Sequence, residues 1–341
     1  MANTFFKSFS EADRTTSRTL LHEAIPITGS IVSGTYNANS NIKSFSHAMY
    51  KSVYDYPYLS SSANHIFDVS FGYNVSSSFR NTANTQDTKK INMYTQMAQV
   101  LMGFDTDAAV KNFDGDGNSS TAGDKLNECF FMNFSRLLVK DEIKKGSFSL
   151  TLGTGSSYTS PFAQTHTITD SSATSSYNIN SPAGEFGILQ RHDGEKVGLL
   201  YYQAGIAVLT SSVLGAYTTT QLNIATEKRQ AILTGSNIDK MSDAFIHRIL
   251  NISFNNTTEL NSTIYFCRAN HNEFNYSSNP TYLTESKIVV KADDMMMPPR
   301  SYVTTVGLYS ADNELLAVAK LSEPLRKDPS SEITLRVRLD Y

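Results

Sequence analysis

The chain has 341 residues, enough for about two domains. Hydrophobic side chains make up 40% and aromatic ones 11%, which supplies a packed core and excludes global disorder. Lys and Arg total 29 against 32 Asp and Glu, a net charge of −3 with no basic stripe, so nucleic acid is not an expected partner.

Charged residues are only 18% of the chain, below the roughly 25% of an ordinary domain. Ser, Thr and Asn take their place, and these favour strands, turns and loops over surface helices. The expected fold class is therefore mainly β with a small helical insertion, built from antiparallel sheets. Residues 1–25 read as an N-terminal arm with apolar Phe5, Phe6, Phe9, Leu20 and Leu21 among polar neighbours. Such a segment is frayed or docked on a neighbour, and Pro26 ends any helix there. The opening residues lack the basic start and long apolar run of a signal peptide. Two cysteines far apart, Cys129 and Cys267, read as buried thiols of a chain matured in a reducing cytoplasm.

Residues 26–153 read as a mixed β/α domain. Ile27–Tyr36 is β-branched and punctuated by glycines, and His65–Tyr73 alternates as a half-buried strand. Between them, His47–Leu59 reads as a short helix followed by a bend at Pro57. The period then changes. Ile91, Tyr94, Ala98 and Leu101 predict a helix over about 89–102, with Asp87 or Thr88 as its N-cap. Leu126, Phe130, Phe134, Leu137 and Leu138 predict a second helix over about 124–143.

Residues 154–244 read as a loop-rich β region, in which Ile188–Gln190 and Val197–Leu209 pair across a turn. The stretch Val197–Thr226 has no charged residue, but its Gly, Ser, Tyr and Gln content makes it a buried strand rather than a membrane span. Residues 245–341 read as a β-sandwich-like domain. Ile249–Phe254 and Ser262–Ala269 are strands, Tyr302–Tyr309 and Leu315–Leu321 form a hairpin, and Ile333–Tyr341 alternates strictly.

Motifs for chemistry are weak. Asp114-Gly115-Asp116-Gly117-Asn118 resembles the start of a calcium loop, but Ser119 and Lys125 stand where glycine and a bidentate glutamate belong. The seven histidines show no metal spacing, and there is no G-x-S-x-G or phosphate loop. No catalytic residue, cofactor or metal ligand is expected. Met295, Met296 and Met297 before Pro298, and the aromatic loop carrying Phe274, Tyr276 and Tyr282, read as adaptable contact surfaces together with Phe5, Phe6 and Phe9.

Some segments carry a resemblance. N-E-F-N-Y-S-S-N-P-T-Y at 272–282, T-T-V-G-L-Y-S-A-D-N-E-L-L-A-V-A-K-L-S-E-P at 304–324 and L-R-V-R-L-D-Y at 335–341 resemble virion structural proteins of contractile-tailed, cyanophage-like myoviruses. L-L-H-E-A-I-P-I-T-G at 20–29 and Y-P-Y-L-S-S-S-A-N-H-I at 56–66 resemble the same group. The resemblance implies a non-enzymatic baseplate or tail component, located in the virion and assembled in the host cytoplasm. Its implied partners are other virion proteins and copies of itself. A receptor- or glycan-binding fibre-like module, with a host surface glycan as partner, and a neck or capsid position are the alternatives.

Overall fold

The period of apolar residues changes along the chain, and that change separates the strands from the few helices. The computed structural model describes residues 6–26, 40–117, 124–216, 218–223, 225–277, 279–285, 287–288 and 299–341. It is mainly β with a small helical part and antiparallel sheets. The expected strand at 27–36 lies outside the described residues. The chain forms two units, one of residues 21–258 and one of residues 1–20 with 259–341. The second therefore begins later than residue 245 and includes most of the segment expected to be a separate arm.

In the 21–258 unit, the strands are β2 (Ile42–Ser44), β3 (Tyr50–Tyr54), β4 (His65–Tyr73), β5 (Glu128–Phe134), β6 (Glu142–Ile143), β7 (Ser149–Gly153), β8 (Thr165–Thr169), β9 (Phe186–Arg191), β10 (Lys196–Tyr201) and β11 (Ile206–Thr210). They join the first half of β12 (Ile249–Ala269) in the order β12-β7-β8-β9-β10-β11-β5-β4-β3-β2, with β6 paired to β12. The helices are α1 (Asp87–Leu101), α2 (Arg136–Val139), α3 (Arg229–Thr234) and α4 (Asp239–His247).

Register explains the core. Phe67, Val69 and Phe71 of β4 lie opposite Phe134, Met132 and Phe130 of β5. Partners directly opposite share a face, so these six form one wall of a core completed by Phe245 of α4, Ile232 of α3 and Phe254 of β12. The alternate residues Cys129 and Phe131 point to the other face. There they join Val208, Leu199 and Tyr201 beneath Tyr94, Ala98 and Leu101 of α1. The central strands are thus covered on both sides, and β4 is buried more fully than its alternation suggested. Gly72 lets α1 approach, because a Cβ there would lie 2.7 Å from the Lys90 carbonyl oxygen.

Some expectations are corrected. The helix expected over 124–143 is strand β5, the single turn α2 and strand β6. The i, i+4 stripe of Phe130 and Phe134 is also a period-two pattern, and Cys129 and Phe131 between them are equally buried. A strand buried on both faces reads as a continuous apolar run that periodicity does not separate from a helix. Where His47–Leu59 was expected as a short helix followed by a bend at Pro57, Tyr50–Tyr54 is strand β3, held in register between β2 and β4, and the bends and turns follow it. The helix α1 is capped at Gln86, without a side-chain cap bond. Asp87 instead accepts from the Tyr73 hydroxyl at 2.5 Å and Arg80 Nε at 3.1 Å. Ile249–Phe254 and Ser262–Ala269 are parts of one strand, β12.

In the unit of 1–20 and 259–341, a short 3-10 turn at Glu11–Asp13 leads into β1 (Arg14–Pro26), which pairs with β12. Much of the segment expected as an N-terminal arm is therefore a strand paired within the chain. Thr15, Thr16 and Thr19 are β-branched residues that suit a pleated strand. β17 (Ile333–Asp340) pairs antiparallel with Ser262–Ala269 of β12. β15 (Ser301–Tyr309) and β16 (Leu315–Lys327) form a two-stranded ribbon, and β13 (Leu283–Thr284) and β14 (Lys287–Ile288) a minimal one.

Asp170 is fully buried and accepts from the Gly146 N–H at 2.7 Å, the Phe148 N–H at 2.9 Å and the Tyr202 hydroxyl at 3.0 Å. Burial pushes its carboxyl above the usual range, and the three donors oppose that rise. Asp170→Ala would leave these donors unsatisfied and is expected to cost about 2–3 kcal/mol, seen as a lower denaturation midpoint with an unchanged slope.

Candidate interaction surface

The polar clusters within the 21–258 unit act as internal fasteners. Asp114, in the loop that resembled a calcium site, is buried with Lys125 Nζ 2.5 Å away. Burial and a hydrogen bond with Asp116 push its carboxyl up, and Lys125 opposes them. The lysine at the position of the missing bidentate glutamate thus supplies the loop's positive charge. Among the described residues no group of three or more His, Cys, Asp or Glu could hold a metal ion. His166 and His192 stack 5.2 Å apart, a neighbourhood their spacing in sequence did not reveal. Burial, with Arg191 and His192 nearby, lowers the His166 pKa.

Two buried cations hold irregular backbone. Lys90 donates to the carbonyls of Leu233 and Gly235, each at 2.7 Å, and lies over the Tyr73 ring. Burial lowers its pKa to about 8 against the opposing pull of Asp87. Arg248 donates to the carbonyls of Gly153, Gly155 and Gln221 at 2.9, 3.0 and 2.9 Å. Burial lowers its pKa to about 10. In both cases a charged donor bonds carbonyls of segments distant in sequence, and the Gly235 carbonyl also accepts from Asn84 Nδ2 at 2.6 Å.

The surface with interaction chemistry lies in the unit of 1–20 and 259–341. Phe6 is 59% exposed although its ring meets Tyr309 edge-on at 5.2 Å. Phe9 is exposed and meets Tyr265 at 5.4 Å. Tyr276 is exposed and Phe274 half-buried, with the Phe274 carbonyl accepting from Ser301 Oγ at 2.5 Å. Tyr282, expected as a contact residue, is buried and presents little surface to a partner. Phe5, Met295, Met296 and Met297 lie outside the described residues.

The ribbon β15–β16, expected as a hairpin of a sandwich-like domain, carries exposed apolar surface. Register puts Val306 and Leu308 opposite Ala319 and Ala317 on its more covered face. The other face carries Tyr309 opposite Leu315, and Gly307 opposite Val318, all exposed. A Cβ at Gly307 would lie 2.9 Å from the Tyr309 ring, so the glycine lets that ring lie across the strand. Leu316, at the bulge beside Leu315, is 67% exposed. The signal available in the sequence was Leu315-Leu316 directly after a turn. Adjacent residues on a strand point to opposite faces, so both are buried only where both faces are covered.

The ribbon's edge is guarded while its face is open. Leu321 to Pro324 bulge opposite Thr304, since Lys320 pairs with Thr305 and Leu325 with Val303. A proline without an N–H, a bulge and the charges of Lys320 and Glu323 all discourage edge pairing. The geometry supports contact through side chains on the ribbon's face.

No family model, curated protein or solved structure matches the chain.

Leu316→Ser with Val318→Ser is expected to leave unfolding free energy within about 0.5 kcal/mol of the original. The same pair should lower binding of a hydrophobic dye by the free protein, because these side chains are exposed apolar surface rather than core. Loss of stability of the size of a core truncation would contradict this.

Proposed function

We propose that the chain is a structural component of a tailed-phage virion, in the baseplate or adjoining tail, whose work is subunit assembly rather than catalysis. The observation that carries the assembly reading is the exposed apolar surface of the β15–β16 ribbon, formed by Tyr309, Leu315, Leu316 and Val318, with Phe6 against the Tyr309 ring. A two-stranded ribbon is marginal by itself in water. Covering such a face with a neighbouring subunit removes apolar area from water and stabilises the ribbon at the same time. The phage assignment draws on the resemblance of residues 272–282, 304–324 and 335–341, segments that include this ribbon and β17.

Low charge and abundant aromatic residues suit repeated subunit contacts, where Tyr and Phe contribute large contact areas. In a symmetric particle many copies make the same weak contact, and avidity multiplies it. The test is immunogold microscopy of purified particles with an antibody to this chain. Label at the distal end of the tail is expected. Label along fibres would favour a receptor- or glycan-binding module, label at the head or neck would move the position, and absence of the protein from particles would overturn the virion reading.

A further inference from the structure

β1 is a strand whose contacts are almost entirely at the surface. Every side chain from Arg14 to Ala24 is exposed, and so are those from Phe6 to Ala12. No core cluster includes a fully buried residue from this segment; Ile25, at its end, is the partly buried exception. The segment is held by backbone pairing with β12 and by side-chain pairs along its length.

Those pairs alternate in sign. Lys7 pairs with Glu273 at 2.7 Å, Asp13 with Arg268 at 3.1 Å, Arg18 with Glu259, and Glu23 with Lys140 at 2.7 Å. Lys7 and Asp13, just before β1, and Arg18 and Glu23, on it, thus alternate in sign along the N-terminal segment and meet groups of opposite charge. Single exposed ion pairs hold little, but an alternating series penalises a shift by one step with like-charge contacts. His22 Nδ1, 3.1 Å from Thr257 Oγ1, and the Glu23 N–H, 3.2 Å from Asn256 Oδ1, fix the same register.

We propose that β1 is exchanged between copies of this chain, so that the strand of one copy completes the β12 edge of another. The partner is a second copy because the charge series on β12 and its neighbours is complementary to β1 itself. Exchange reproduces the same backbone bonds and ion pairs without any new interface. The chain permits the reach: residues 27–41 separate β1 from β2, and fifteen residues span at most about 50 Å when extended. Within one copy the strand competes with its own body at a fixed effective concentration. In an assembly that brings copies together, the neighbouring edge competes on equal terms. The proposal extends the assembly reading by naming a mode of contact.

The test uses the full chain carrying His22→Cys and Thr257→Cys in a Cys267→Ser background. Equal amounts of ordinary and ¹⁵N-labelled protein are unfolded together and refolded at high concentration. The pair is then joined with a short bismaleimide and the linked peptides are weighed. Peptides joining residue 22 of one isotope to residue 257 of the other are expected, approaching half of all such pairs on complete exchange. Pairs of a single isotope only would overturn the proposal.

A second measurement does not depend on the linker. Arg18→Glu and Glu259→Arg each create a like-charge contact within one copy, and both contacts become attractive when two such copies exchange strands. Mixing the two variants is expected to give a species of twice the mass on sedimentation. A mixture that stays at the mass of the separate variants would contradict exchange. Exchange in solution by a protein missing from particles would leave this inference standing and remove the virion reading.

Discussion

Burial of both faces of the β4–β5–β11–β10 sheet is the constraint on which the 21–258 unit depends. The alternation of Phe130, Met132 and Phe134 against Cys129 and Phe131 sends apolar side chains to opposite sides of β5. Each side then needs its own cover. One receives α1, seated against β4 where Gly72 removes the obstacle of a Cβ. The other receives α3, α4 and the first half of β12. The helices are few because they serve as lids on a sheet, and the polar composition of the chain provides little else to form them.

Closing those lids buries irregular backbone, whose carbonyls need partners. Lys90 and Arg248 supply them, each a charged donor reaching carbonyls more than twenty residues away in sequence. Asp170 does the converse, accepting from the N–H groups of Gly146 and Phe148. Buried charges often mark catalytic centres, but these three are spent on backbone groups and on Tyr202. These three groups thus hold backbone segments in place within the unit. The other unit is organised differently: its ribbon and its first strand leave side chains in water, apolar ones among them.

Much of this was legible from residue patterns. The mainly β class followed from low charge and Ser, Thr and Asn content. The strands His65–Tyr73, Phe186–Arg191, Ser301–Tyr309 and Ile333–Asp340 and the helix α1 stood close to where periodicity put them. What failed did so for identifiable reasons. β5 was read as a helix because burial on both faces erases the period-two signal. Residues 1–25 read as an arm, frayed or docked on a neighbour, because the long-range pairing of β1 with β12 leaves no local trace. For the interaction surface, Phe6, Phe9 and Tyr276 were legible as exposed apolar or aromatic residues. Tyr282 was not separable from them, because burial within a loop depends on its packing partners. The ribbon's outer face was missed because alternation shows that a strand has two faces and does not show whether both are covered.

Amide hydrogen exchange, compared between the free protein and purified particles, tests the central claim most directly. If the ribbon and β1 are surfaces completed by neighbours, their amides exchange quickly in the free protein and slow by tenfold or more in the particle. The amides of β4, β5, β10 and β11 would be protected in both states, because their cover comes from within the chain. Equal protection of β15, β16 and β1 in the two states would contradict an assembly role for these surfaces.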